Sequence, residues 1–260
     1  MHRSKGVLLN PLPIPGLLIT GTDTGVGKTI VAGAIADWFR RRHRRVAVCK
    51  PCATGCVHRR EGLVSEDAEF LAACSDTPFP LDLICPVRYA QPLAPAIAAE
   101  RMGQPLDWAA IDRSIRLMSV GSDVMIVEGI GGIMVPMDQK TTVLDMAAQL
   151  RVPTVIVARA GLGTINHSLL TISALRGAGV RVAGVVINRY PTDVASAAEE
   201  TNPRAIERWG KTSVLCLVPE ENIVPPKLPQ GIVAAIDSVD WAGLIESAKD
   251  YPPRGTKGHE

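Results

Sequence analysis

The sequence predicts an α/β fold built on a doubly wound, mostly parallel sheet. Short apolar, β-branched runs alternate with longer helical patterns along the chain, which is typical of consecutive βαβ units. The first apolar run also leads through a glycine-rich turn into a helical pattern, as phosphate-binding loops do. These two observations predict helices on both faces of one sheet, with ligands beyond the carboxyl ends of its strands.

The predicted strands are short apolar runs without strict alternation, as expected for parallel strands covered on both faces. In chain order they are GLLIT, RVAVCK, DVMIVE, VPTVIVA, RVAGVVIN and SVLCLV. Helices are predicted to begin near Lys28, Glu66, Trp108, Thr142, Thr164 and Asn202. This order places each helix between two strands of the sheet.

The strands and helices define one domain, residues 16–221, preceded by an N-terminal extension, residues 1–15. Residues 222–260 are rich in proline, and within them only DWAGLIESA is patterned like a helix. We therefore interpret this last part as an appendage and a tail rather than a second domain.

The composition of the chain limits the classes of partner that we expect it to bind. The chain has 260 residues, of which 47% are hydrophobic, so it can bury a large core. A formal net charge of +2 indicates neither nucleic acid nor a membrane surface as a partner and favours small molecules. Six scattered cysteines are typical of a reducing compartment, and no apolar run is long enough to span a membrane. We therefore expect a cytoplasmic protein.

The stretch GTDTGVGKT, Gly21 to Thr29, predicts a nucleotide site. Its amides and the following helix start would bind phosphate oxygens, Lys28 would reach the β- and γ-phosphates, and Thr29 would take a magnesium position. The spacing departs from GxxxxGK[ST], because Gly21 stands one residue too early. A glycine-rich turn without a ligand is the alternative.

Seven motifs in order, the phosphate loop and six further pieces, resemble the dethiobiotin synthetase family, from about Gly16 to Glu221. They are GTDTGVGKT, KPCATG, SEDAEFL, PLAPAIAA, VEGIGG, GTINHSLLT and VVINR. The resemblance implies a P-loop NTPase fold and an ATP-dependent cyclo-ligase that joins CO2 to 7,8-diaminononanoate, giving dethiobiotin, ADP and phosphate in biotin biosynthesis. It also implies a homodimer with the diamine held across the interface.

Three oxygen-bearing residues are predicted to hold Mg²⁺. Glu128 ends an apolar strand, DVMIVE, and faces the same crevice as the phosphate loop, where a carboxylate can bind the ion. Asp67, near a helix start, is as well explained by a helix cap or a first-turn acid. The resemblance implies that Thr29, Asp67 and Glu128 share the metal.

Lys50 ends the second predicted strand and is held by Pro51, so its ammonium is expected to enter the crevice. A solvated lysine is the default alternative. The resemblance implies that Lys50 acts near the carbamate and the transferred phosphoryl group, and that the Thr54 hydroxyl contacts the substrate. Lys28 and Lys50 are therefore the predicted catalytic residues.

The remaining predicted contacts fall into two groups. The nucleotide group comprises Gly25, Val26, Gly27, Lys28, Thr29, Ile30, Asp67, Glu128, Gly129, Ile130, Gly131, Asn188, Arg189, Pro219, Glu220 and Glu221. The substrate group comprises Thr24, Thr54, Gly163, Thr164, Ile165 and Asn166. In the first, the amide of Asn188 can pair with an adenine edge, or it can simply end a strand. In the second, the helix start at Gly163 favours an anion, or is merely capped.

Other patterns are given structural interpretations. Cys49, Cys52 and Cys56 lack the paired spacing of a zinc site. The basic run RRRHRR suits the end of a helix better than a nucleic-acid surface. His167, near a helix start, is read as structural rather than as a general base.

Two other functions remain open. A switch ATPase of the ParA or MinD type would carry a second lysine early in the loop, and GTDTGVGKT has none. An amidoligase of cobalamin synthesis would add a glutaminase domain, for which this chain is too short. The sequence after Pro219 follows the family only loosely, so adenine and ribose contacts there are the least defined part of the site.

Overall fold

The computed structural model describes residues 9–60, 62–193, 196–225 and 227–246. Its strands are β1 (Gly16–Gly21), β2 (Val46–Cys49), β3 (Cys52–Thr54), β4 (Val57–Arg59), β5 (Gly62–Val64), β6 (Val87–Tyr89), β7 (Val124–Gly132), β8 (Thr154–Arg159), β9 (Val182–Tyr190) and β10 (Val214–Pro219). Its helices are α1 (Lys28–Arg40), α2 (Glu66–Ser75), α3 (Leu81–Ile84), α4 (Pro95–Met102), α5 (Trp108–Ser119), α6 (Val143–Leu150), α7 (Thr164–Gly177), α8 (Ala197–Gly210), α9 (Gln230–Asp237) and α10 (Trp241–Glu246).

The main sheet has six parallel strands in the order β10-β9-β8-β1-β7-β2. All six belong to the predicted strands, and the α/β doubly wound sheet is confirmed. From β1 the chain passes to the edge strand β2 and returns to β7, which lies between them. It then continues through β8, β9 and β10 on the other side of β1, so the strand order reverses beside β1. Ligands of such sheets bind at this switch point, beyond the carboxyl ends of the strands.

Two small sheets were not predicted. β3 pairs with β6 in parallel, and β4 pairs with β5 as a hairpin. The strands are only three residues long, too short to show a periodic pattern. The first of these sheets fixes the segment between Lys50 and Gly55, which carries two predicted site residues.

The predicted helix starts agree with the structure except at α8, which begins at Ala197 rather than near Asn202. Ser196 accepts a hydrogen bond from the Glu199 backbone, and the Glu199 carboxylate accepts one from the Ser196 backbone. This capping box starts the helix early. Pro203, a residue common in the first turn of helices, lies inside α8.

Two strands extend further than predicted. β7 continues past Glu128 to Gly132, with a register shift against β1 between Ile19 and Gly21. β9 continues past Asn188 to Tyr190. The expectation that Glu128 and Asn188 end their strands was therefore wrong, because backbone pairing with neighbouring strands continues beyond each apolar run.

The proline-rich region after residue 221 contains α9, a helix that the sequence did not predict. Ile232 and Ile236 are buried in the main hydrophobic core, and the Glu221 carboxylate accepts a hydrogen bond from the Ile232 N–H at 3.0 Å. Such a short helix depends on tertiary packing for its stability. The predicted helix in DWAGLIESA is α10 as far as Glu246, and the rest of that run lies outside the described residues.

The basic run at the end of α1 is bound to acidic side chains. Arg40 and Arg41 both contact Asp37, and Arg41 also pairs with Asp237 at the end of α9. These pairs link α1 to the C-terminal part of the described chain.

None of the helices in the described ranges combines the length and apolar character needed to cross a membrane.

Candidate active site

The phosphate loop joins β1 to α1 and is shaped by its glycines. Gly27 has a φ of 91°, and a Cβ there would lie 2.0 Å from the Asn188 Nδ2, so only glycine fits. The Asn188 amide is buried and donates to the Val26 carbonyl at 2.9 Å. The end of β9 thus holds the loop in place, a role for Asn188 that its sequence position did not indicate.

Lys28 begins α1 and is buried beneath the loop. Its Nζ donates to the Asp23 carbonyl at 3.0 Å. Burial, together with the nearby Lys50 ammonium, lowers the pKa of Lys28 to about 8. A phosphate group beside Lys28 would supply the counter-charge that this ammonium lacks.

Lys50 is the centre of a buried ionic cluster. Its Nζ lies 2.6 Å from Glu128 Oε1, 2.9 Å from Asp67 Oδ2 and 3.3 Å from the Gly129 carbonyl oxygen. Burial alone would lower the pKa of Lys50, but the carboxylates of Glu128 and Asp67 outweigh it and raise this pKa. The expectation that Lys50 enters the crevice agrees with this position.

The two carboxyl groups differ in exposure. The Glu128 side chain is 1% exposed and the Asp67 side chain 45% exposed. Burial raises the pKa of Glu128 despite the neighbouring Lys50. Burial also acts to raise the pKa of Asp67, but the ammonium and hydrogen bond of Lys50 reverse this, so the net pKa is lowered. Asp67 is a first-turn acid of α2, whereas the cap is Ser65.

Thr29 joins these carboxylates from the phosphate-loop side. Its hydroxyl oxygen lies 3.0 Å from Asp67 Oδ1 and 2.9 Å from Glu128 Oε1. One hydroxyl proton can serve only one of these two acceptors. Glu128 Oε2 is also buried and has no hydrogen-bond partner among the described residues. Three oxygen-bearing side chains from α1, α2 and β7 therefore meet where a hard cation would satisfy them.

The other predicted residues lie around this cluster at varying distances. Thr24 lies beside Gly131, where a Cβ would be 3.3 Å from the Thr24 hydroxyl. Thr54 ends β3. In the described chain, no hydrogen bond or ion pair connects Gly163–Asn166 at the start of α7 to the Lys50 cluster.

The residues predicted to contact the nucleotide do not all lie beside the Lys50 cluster. Gly25, Ile30, Gly129 and Ile130 adjoin the phosphate loop or Glu128 in sequence, while Arg189 has a left-handed backbone with a φ of 55°. Beyond β10, the Glu220 N–H donates to the Tyr190 carbonyl, and the Glu221 carboxylate caps α9. The nucleotide contacts predicted for Arg189 and Pro219–Glu221 stay predictions.

A cavity of about 440 Å³ opens beside the phosphate loop. One wall is formed by Thr22–Thr24 and residues 132–136, and the other by His167, Leu170 and Thr171 of α7. His167 thus faces open space rather than the core, which its position near a helix start did not reveal.

Comparison with known proteins identifies relatives of this chain. The family model described as an AAA domain matches residues 15–227. Over 207 residues, the chain is 41% identical to the ATP-dependent dethiobiotin synthetase BioD of Anaeromyxobacter sp. strain K, a match that covers 79% of this chain and 90% of that protein. The chain belongs to the dethiobiotin synthetase family.

Proteins of the same name from two other organisms are also similar to this chain. The one from Haloferax mediterranei is 36% identical over 214 residues, which are 82% of this chain and 88% of that protein. The one from Thermodesulfovibrio yellowstonii is 35% identical over 211 residues, 78% and 88% of the two chains. The predicted membership of the dethiobiotin synthetase family is confirmed, and neither the switch ATPase nor the cobalamin amidoligase is favoured.

Proposed function

We propose that this chain is an Mg²⁺- and ATP-dependent dethiobiotin synthetase of biotin biosynthesis, acting on 7,8-diaminononanoate and CO2. The observation that carries the proposal is the meeting of Lys28, Lys50, Thr29, Asp67 and Glu128 at the switch point of the sheet. Membership of the family, whose named members are ATP-dependent, supports it.

The reaction divides into three balanced steps. One amino group of the diamine adds to CO2 and loses a proton, giving a carbamate. A carbamate oxygen attacks the γ-phosphorus of ATP, the bond to the bridging oxygen breaks, and ADP leaves. The second amine attacks the carbonyl carbon, phosphate leaves with the bonding electrons, and loss of the amine proton gives the cyclic urea.

The lysines provide the positive charge for the second step. Lys28 and the loop amides would contact the β- and γ-phosphates, and Lys50 would lie between the carbamate and the transferred phosphoryl group. Because Lys50 is already held by two carboxylates and a carbonyl oxygen, it needs little rearrangement as charge develops. Preorganised charge of this kind is the main catalytic contribution in phosphoryl transfer.

Magnesium fits the oxygen atoms of Thr29, Asp67 and Glu128, since one Thr29 hydroxyl is shared by two acceptors and Glu128 Oε2 has no partner among the described residues. When bound with ATP, the ion would neutralise phosphate charge. The hydroxyls of Thr24 and Thr54 would orient the diamine. Asn188 would contact adenine only through the part of its amide not used on Val26.

The assay that tests this proposal measures product and ATP use together. ATP hydrolysis should depend on both the diamine and bicarbonate, with one dethiobiotin formed for each ADP. Turnover that is indifferent to the diamine, and stimulated instead by DNA, lipid vesicles or another protein, would contradict it.

A cytoplasmic location is part of the proposal, and it is supported by six free, buried cysteines.

The active form is proposed to be a homodimer. Met134, Leu162 and Leu170 are 62%, 82% and 61% exposed, and Met134 and Leu170 line the cavity beside the phosphate loop. Exposed apolar side chains around a cavity are typical of an interaction surface. A second copy would cover them and bring its own α7 towards the diamine.

Mixing two inactive variants tests the shared site. Lys28→Ala subunits and Asn166→Ala subunits should each be nearly inactive, and their mixture should regain about a quarter of wild-type activity if exchange is random and each heterodimer keeps one intact site. The measurement is the rate of dethiobiotin formation after subunit exchange. Light scattering gives the molar mass of the protein and so its oligomeric state. A fully active monomer, or a mixture no more active than its parents, would exclude the shared site.

A further inference from the structure

His167, in the first turn of α7, lines the cavity beside the phosphate loop. We propose that its imidazole is the general base of ring closure, which takes the proton from the second amine of the diamine as that amine attacks the carbonyl carbon. The inference rests on the proposed function and adds a catalytic residue to it. The sequence indicated only a structural histidine here, so the assignment depends on the cavity.

The cavity suits an aliphatic diamine in its size and in its lining. Its volume is about 440 Å³, which is ordinary for a site that holds a small molecule. Residues 133–136 and Leu170 line it with apolar surface, which can cover the methylene groups of the diamine. Thr24, whose hydroxyl is proposed to orient the diamine, lines the same cavity as His167. An amine bound by Thr24 would therefore lie in the space that the imidazole faces.

Two of the described residues that line this cavity have side chains that titrate, Asp23 and His167. Asp23 Oδ1 accepts a hydrogen bond from the Thr24 N–H at 2.7 Å, so this carboxylate is engaged by the loop, and aspartate is a weak base at neutral pH. Histidine is the side chain that ordinarily exchanges a proton between about pH 5 and 8. The imidazole is thus the lining group whose chemistry fits proton removal from a nitrogen.

The His167 ring is free to take this role. The residue is half-buried, and within the described ranges its ring makes no hydrogen bond or ion pair. Its backbone N–H donates to the Gly163 carbonyl at 3.2 Å, and its carbonyl accepts from the Thr171 hydroxyl at 2.8 Å. Because the bonds that hold this residue in α7 do not involve the ring, a substitution of the side chain should leave the helix intact.

The place of the ring relative to the lysines assigns it to the second amine. The carbamate and the transferred phosphoryl group are proposed to lie at Lys50 and Lys28, and the first amine supplies the carbamate nitrogen. In the part of the chain that the structure describes, no hydrogen bond or ion pair connects His167 to either lysine. The second amine is therefore the one left to bind in the cavity.

In ring closure, the lone pair of the second amine forms the new C–N bond. The bond between the carbonyl carbon and the phosphate oxygen breaks, and phosphate leaves with its electrons. The attacking nitrogen becomes positively charged, and its proton passes to the unprotonated ring nitrogen of His167. The imidazolium then releases this proton to water through the open cavity. The Asp23 carboxylate, which lines the same cavity, favours the imidazolium while it exists.

The test is a single-turnover experiment that measures ADP and dethiobiotin separately in wild type and His167→Gln. Glutamine keeps a polar side chain but cannot take up the proton. In the variant, ADP should form at the wild-type rate, whereas dethiobiotin should form about 100-fold more slowly, the usual effect of removing a general base. His43→Gln, which replaces an exposed histidine after α1, is the matched control and should behave as wild type.

Added imidazole provides an independent readout. His167→Ala enlarges the cavity, so free imidazole should enter it and accelerate dethiobiotin formation without changing the rate of ADP formation. Imidazole should not accelerate Lys28→Ala, which lacks a charge partner of the phosphates rather than a base. Thermal unfolding of both His167 variants should match that of wild type.

Several outcomes would overturn the assignment. Equal slowing of ADP and dethiobiotin formation in His167→Gln would place the ring outside ring closure, and wild-type rates of both would remove it from catalysis. A failure of imidazole to accelerate His167→Ala would exclude a proton acceptor at this position. Each of these results requires that wild type forms dethiobiotin, whereas a wild type that forms none would overturn the proposed function and this inference together.

Discussion

Replacing Lys28 with alanine is expected to reduce the rate of dethiobiotin formation about 100- to 1,000-fold, the usual effect of removing one preorganised charge partner of a transition state. The fold should survive. The Lys28 ammonium is buried near Lys50, and its pKa is lowered to about 8 by burial and by that second cation, so the free protein gains little from its charge. Single-turnover measurements with saturating ATP would report the chemical step, and thermal unfolding would report stability.

A matched control and the pH dependence sharpen this test. Lys140→Ala, which removes an exposed lysine, should leave the rate unchanged. Bound phosphate favours the charged form of Lys28, so ATP binding takes up a proton above the free pKa of about 8. Wild-type affinity for ATP should therefore fall as the pH rises through this value, and the fall should be smaller in Lys28→Ala. Wild-type turnover in the variant would remove Lys28 from the catalytic group.

Glu128→Gln is expected to have the largest effect on stability, because it leaves the Lys50 ammonium buried with one carboxylate fewer. Lys50 and Glu128 are 3% and 1% exposed and lie 2.6 Å apart. Breaking a buried pair by removing one partner typically costs about 3–5 kcal/mol of unfolding free energy. The variant should also need more Mg²⁺, since a neutral amide binds a hard cation less well than a carboxylate. Denaturant unfolding and Mg²⁺ titration of turnover measure the two effects.

Asp67→Asn is the matched variant. It should raise the Mg²⁺ requirement in the same way but change stability much less, because the Asp67 side chain is 45% exposed and its ion pair is screened by solvent. The double variant Lys50→Met with Glu128→Gln removes both charges of the buried pair. It should recover much of the lost stability without recovering activity. If the Mg²⁺ titrations of both single variants overlay that of wild type, these carboxylates do not hold the ion.

The carboxylate cluster shows how far sequence reasoning extends. Thr29, Asp67 and Glu128 could be proposed as a set only through resemblance to the family, because their separations along the chain contain no common period. Residues that act through their backbone atoms could not be predicted from the sequence. The Asp23 carbonyl that holds Lys28 and the Val26 carbonyl that binds Asn188 involve groups that every residue possesses, so no residue type marks them.

The sequence by itself determined the parallel sheet, the phosphate loop and the family. Apolar runs, a glycine-rich turn and helix starts are local patterns, and local patterns suffice to place strands that are covered on both faces. Only the tertiary structure decided that β7 continues past Glu128, that α9 forms in a proline-rich segment, and that the Asn188 side chain donates to the Val26 carbonyl. Each of these depends on contacts between segments distant in sequence or across a turn, and the energy of such contacts is absent from any local pattern.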